Sequence, residues 1–163
     1  VGANHNKCDW YGAELGNVNH PILRIKRSKG RNNIKGSERG IANLQDIRAI
    51  DDSAVNCNFA NPSLEHIIGY INAATGFNYD RKSLMKVGER INNLKRIISC
   101  NLGITTKDDR LPNHNMKILS SGRVKGVKLD LEENLKKYYN IRGWDWNTGR
   151  PTEVKLKELG ILP

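Results

Sequence analysis

Between Asp80 and Gly103 the sequence reads DRKSLMKVGERINNLKRIISCNLG, and Leu84, Val87, Ile91, Leu94 and Ile98 recur at intervals of three and four. That spacing lines up along one helix face and excludes a strand, whose side chains alternate with period two. It predicts a helix over 80–101, capped by Asp80 and stopped at Gly103, where glycine accepts a left-handed conformation. Gly88 falls on the apolar side. A missing side chain there lets a second backbone come close.

The same pattern predicts the other elements. Ile41, Leu44 and Ile47 set a helix over 37–54. After Asn-Pro, Asn61 is read as the N-cap and Pro62 as the first helical residue, with Leu64, Ile67, Ile68 and Ile71 as the stripe and Gly76 as the stop. Asp130 with Glu133 has the form of a capping box before a helix that buries Leu131, Leu135 and Tyr138 and ends at Gly143. A short helix runs from Thr152, which follows Pro151, to Gly160. Residues 1–20 have no clear period, so 1–36 is expected to be an irregular lining segment and a basic loop, followed by a helical body over 37–163. The long connection 103–128 is expected to wrap over the surface. With no convincing run of period two, the fold class is all-α.

The net charge of +10 raises the question of a nucleic-acid partner, because Lys and Arg neutralise phosphates. Much of the excess lies in ILRIKRSKGRNNIKGSERG, residues 22–40, where Glu38 is the only acid and no aromatic offers a base a stacking platform. A charged surface loop is the preferred meaning, and nucleic acid is not expected as a partner. No apolar run reaches the roughly 20 residues of a membrane helix, so no membrane association is expected. The opening VGANHNKCDWYG lacks a secretory apolar region, and the cysteines at 8, 57 and 100 form no disulfide pattern. A reducing, cytoplasmic setting is expected. Charges in GERINNLKR, 88–96, are expected on an outer face as solvent and ion-pair partners, and the aromatic stretch YYNIRGWDWNTGRPT, 138–152, is expected to pack a helix end on the core.

Two polar features interrupt the helical pattern. AIDDSAVNC, 49–57, places Asp52 five residues before Cys57. A thiolate is a soft ligand for iron or zinc, and a carboxylate accepts hydrogen bonds from ring N–H groups. Cys57 alone cannot hold a cubane cluster, and a buried structural thiol is the plain alternative. His5, with Lys7 two residues on, either positions a substrate and moves a proton or stands idle on the surface. His20, His66 and His114 make no metal spacing.

Taken in order, GANHNK, LQDIRAIDDSAVNC, TGFNYDRKSLMKVGERINNLKRI, DDRLP and YYNIRGWDWNTGRPTEVKLKELGI resemble the C-terminal region of the tungsten-containing aldehyde ferredoxin oxidoreductase family. The resemblance covers nearly the whole chain, least well at 17–35 and 113–127. It implies helical C-terminal domains, a [4Fe–4S] cluster and a tungsten (or molybdenum) bis-pterin cofactor. It also implies that Cys57 is one cluster ligand, that Asp52, Lys7 and Asn56 are cofactor-binding, and that His5 is catalytic near the metal. Val55 and Asn56 stand where the family motif D-x-x-G-L-C has glycine and leucine, and Asn4 where some members have cysteine.

The other cluster cysteines and the N-terminal cofactor-binding domain have no counterpart in these residues. A missing N-terminal domain or subunit, ferredoxin and a small aldehyde are therefore the implied partners, and the chain is expected to be inactive alone. The alternative is a non-catalytic helical module whose basic loop meets an acidic protein or nucleic acid.

Overall fold

A computed structural model describes residues 4–18, 20–25, 36–122 and 125–162. Among the described residues six α-helices follow in order: α1 (Trp10–Leu15), α2 (Glu38–Ser53), α3 (Leu64–Thr75), α4 (Arg81–Asn101), α5 (Leu131–Arg142) and α6 (Glu153–Glu158). Among the described residues, strand-like pairing is limited to two isolated bridges, His20 with Ile25 and Trp144 with Pro151. The all-α expectation holds. The opening segment is more ordered than its sequence suggested, since α1 and a 3-10 turn at His5–Lys7 lie within it. Most of the basic loop, 26–35, lies outside the described residues.

Helix α2 is the hub, packing most extensively on α4 and next on α5. Gly88 explains the closeness to α4: a Cβ there would run into the carbonyl oxygen of Asp46. Helix α4 starts in a capping box, in which the Asp80 carboxylate accepts from the Ser83 N–H at 2.7 Å and the Ser83 hydroxyl accepts from the Asp80 N–H at 2.9 Å. On α3 the cap is Ser63, whose hydroxyl accepts from the His66 N–H at 3.2 Å. Asn61, expected to cap it, instead adopts a left-handed conformation at φ 39° and donates its side-chain amide to the Asn17 carbonyl at 3.2 Å. The box at Asp130 is half made: its carboxylate accepts from the Glu133 N–H at 3.1 Å, while the Glu133 side chain pairs with Lys137.

The interior has two parts. One is apolar: Ala13, Val18, Ile25, Leu44 and Ile47 join a second group of Ile50, Leu64, Ile67 and Leu84 through the shared neighbours Leu23 and Met85. The other is ionic and aromatic, and it overturns two expectations. Along α4 the buried residues after Gly88 are Asn93, Arg96 and Cys100, while Leu94, Ile98 and Leu102 are 41%, 58% and 81% exposed. Along α5 the buried pair is Tyr139 and Arg142, with Leu131, Leu135 and Tyr138 only half-buried.

Hydrogen bonding accounts for the inversion. Arg96 donates to the Gly149 carbonyl at 2.7 Å, to both Asp109 oxygens at 3.1 and 2.8 Å, and to the Tyr139 hydroxyl at 2.7 Å, and it stacks 4.6 Å over Trp144. Arg142 donates to Asp46 at 2.6 Å, to the Ala42 carbonyl and Gln45 at 2.8 Å each, and to the Tyr138 hydroxyl at 3.0 Å. A buried guanidinium is tolerated when its fork is filled in this way. Two of the remaining charges of 88–96 are similarly engaged: Glu89 pairs with Lys155 at 3.1 Å and Arg90 donates to the Leu159 carbonyl at 2.7 Å, while Lys95 is exposed. Glu89 thus has the expected ion-pair partner and Lys95 the expected solvent, whereas Arg96 is buried.

Candidate functional site

The C-terminal end of α2 is shaped by one backbone reversal. Ala54 closes the helix with its N–H on the Ile50 carbonyl at 2.9 Å, and Val55 then turns left-handed at φ 55°. The next N–H, that of Asn56, returns to the Asp51 carbonyl at 2.9 Å. Cys57 leaves extended and opens a 3-10 turn over Asn58–Ala60. The result is a hooked loop that carries its thiol outward: Cys57 and Asp52 are both exposed, Val55 is 92% exposed and Phe59 100%. The exposed thiol and the exposed phenyl ring thus lie two residues apart in the chain.

His5 and Lys7 occupy the 3-10 turn His5–Lys7, which Asn4 caps by accepting the Asn6 N–H at 3.0 Å. This turn packs on α2. Within it His5 is exposed, and Lys7 lies on the wall of a cleft of about 410 Å³ with Gln45, Asn92, Tyr138 and Trp144. Ile41, Gln45, Arg48 and Asp52 follow at intervals of four, three and four, so one face of α2 runs from the Lys7 cleft to Asp52. Cys8 seats its thiol 3.9 Å from the Ile41 carbonyl on that same face. Burial pushes this thiol up to about 12, which keeps it a neutral packing group.

The opening segment and the Cys57 loop are joined through Asp9, Arg48 and Asp51, none of which the sequence marks as a site residue, together with Asn56. Arg48, 3% exposed, meets Asp51 at 3.0 Å and Asp9 at 3.8 Å. The second Asp51 oxygen accepts from the Asn56 side-chain amide at 3.2 Å. Asp9–Arg48–Asp51–Asn56 is thus a polar line, buried at Arg48 and Asp51 and half-buried at its ends, from the His5 turn to the residue before Cys57. Two consequences follow. Asn56, assigned to the cofactor, turns its amide inward to Asp51, and of the two adjacent aspartates Asp51 braces the loop while Asp52 stays open. The sequence did hold a signal: an arginine three residues before an aspartate on one helix face.

The residue types can be weighed against the implied cofactors directly. Among the described residues no group of three or more His, Cys, Asp or Glu side chains could hold a metal ion. Cys57 offers one soft ligand, which fits a share in a cluster and not a whole one. Asp52 offers an open carboxylate and Lys7 a cation, which fit N–H donors and an anionic group respectively.

In structural terms this is an all-helical body that presents one thiol and one carboxylate at the end of its central helix, braced by a buried arginine. Its sequence matches, over residues 1–161, the family described as aldehyde ferredoxin oxidoreductase, domains 2 and 3. It is 36% identical over 122 residues to the tungsten-containing aldehyde ferredoxin oxidoreductases of Pyrococcus horikoshii and Pyrococcus furiosus. With that of Thermococcus kodakarensis the identity is 35% over 122 residues. Each match covers 72% of this chain and 20% of the relative, so the matched region spans about a fifth of the relatives' length. The chain belongs to the aldehyde ferredoxin oxidoreductase family. No helix among the described residues is long and apolar enough to cross a membrane.

Proposed function

We propose that this chain is the C-terminal helical portion of an enzyme that oxidises aldehydes to carboxylic acids and passes the electrons to ferredoxin. An N-terminal domain or subunit supplies the rest of the cofactor chamber. In this reading Cys57 gives one ligand to a [4Fe–4S] cluster, while Asp52 and Lys7 hold the pterin side of a tungsten or molybdenum cofactor. When bound, that cofactor supplies the redox chemistry, and the polypeptide orients and tunes it. Asp52 accepts from ring N–H donors, and Lys7 neutralises an anionic group across the cleft. Asn56 contributes through Asp51, fixing the loop from inside. His5, exposed on its capped turn, would take up one of the two protons released when the aldehyde and a water become the carboxylic acid and give up two electrons.

One observation supports this reading: Cys57 stands exposed on a braced loop, two residues before the fully exposed Phe59. A structural cysteine would be packed away, as Cys8 and Cys100 are.

The test is reconstitution with the N-terminal region of the Pyrococcus horikoshii relative. Iron bound per complex and a cluster electron paramagnetic resonance signal are expected from the pair and not from the chain alone. Cys57→Ser is expected to remove or alter that signal while leaving the far-ultraviolet circular dichroism of the chain unchanged. Stoichiometric iron in the isolated chain, or an unaltered cluster in C57S, would overturn the proposal.

A further inference from the structure

Away from the Cys57 loop, a groove of about 940 Å³ lies between the connecting segment and the start of α5. Its apolar lining comes from Met116, Leu129, Leu131, Leu135 and Trp146. Its charged lining is unevenly committed. Asp109 is held by Arg96 at 2.8 Å and by the Tyr139 hydroxyl. Asp130 caps α5, and Glu132 pairs with Lys136 at 2.6 Å. Every carboxylate on the wall therefore has an internal partner. The cations do not: Lys107, Arg110 and Lys128 are exposed, and none makes an ion pair among the described residues.

An apolar lining with unneutralised positive charge at its rim suits a ligand that is anionic at one end and apolar in its body. The volume is in the range of pockets that enclose small organic molecules, roughly 300–1,000 Å³. We infer that this groove binds an amphiphilic organic acid, a carboxylate carrying an aryl or alkyl body. The acid group lies among Lys107, Arg110 and Lys128, and the body lies against Trp146 and the leucines. The planar fork of Arg110 matches a carboxylate geometrically, while the two lysines act as point charges. This site shares no residue with the Cys57 loop and does not depend on the redox reading.

The experiment uses the full chain and 2-naphthoate, followed by calorimetry and by tryptophan fluorescence. Binding at micromolar to low millimolar concentration is expected, with the uncharged 2-naphthamide weaker by about tenfold or more. The triple variant K107Q/R110Q/K128Q alters only exposed side chains and is expected to keep the wild-type circular dichroism while losing about tenfold or more in 2-naphthoate affinity. Trp146→Leu is expected to weaken naphthoate more than decanoate, because it removes the aromatic wall but keeps an apolar one. Absence of binding at millimolar naphthoate and decanoate would overturn the inference. So would equal binding by the triple variant, or saturation by an acidic amphipathic peptide when neither acid binds.

Discussion

Val55 is the residue where sequence and backbone disagree most openly. The motif D-x-x-G-L-C that this stretch resembles would put glycine here, a residue that suits the backbone, since the chain turns left-handed at φ 55°. For a β-branched side chain that conformation costs about 1–2 kcal/mol, part of which glycine would return through its freer unfolded chain. Val55→Gly is therefore expected to stabilise the chain by about 1 kcal/mol, read as a higher urea midpoint at unchanged slope. A lower midpoint would mean that the valine side chain makes contacts worth more than the strain. The sequence made Cys57 and Asp52 legible as a motif, but not the division of labour between Asp51 and Asp52. Alternation of buried and open on neighbouring residues depends on where Arg48 reaches, and no local pattern encodes that.

Among the elements, α4 teaches the clearest lesson. Its period, both of its ends and the close approach at Gly88 were all legible, because caps and glycines act locally. The burial of its second half was not, because the apolar line gives way to Asn93, Arg96 and Cys100. Their partners lie far along the chain, at Gly149 and Trp144. Two glycines separate propensity from packing. Gly69, on α3, has nothing within 4 Å of an added Cβ, so Gly69→Ala is expected to gain about 1 kcal/mol from helix propensity alone. Gly88→Ala is expected to lose about 1–3 kcal/mol, since the obstacle is the Asp46 backbone and cannot rotate aside. Equal effects in a thermal melt would show that α2 and α4 are not in the described contact.

For the molecule as a whole, the division into an apolar and an ionic half sets the response to alkali. Burial raises the Cys8 thiol from its ordinary 9.0 to about 12. Burial, helped by the bond to Asp109, raises the Tyr139 phenol from 10.0 to about 12. Both groups hold their protons in the folded chain after the unfolded chain has released them. Stability is therefore full below about pH 9 and declines as pH rises toward 12. Cys8→Ala and Tyr139→Phe are each expected to shrink the difference in urea midpoint between about pH 8 and about pH 11. An undiminished difference in both variants would place the alkaline loss elsewhere.

The placement of the indoles gives this architecture a built-in optical readout. Trp10 packs against the apolar half, whereas Trp144 lies under the Arg96 guanidinium and Trp146 edges onto Tyr139. Emission from the first reports one compartment and emission from the other two reports the second. Single-tryptophan variants would thus reveal, without any attached dye, whether the halves melt in one step or come apart in sequence.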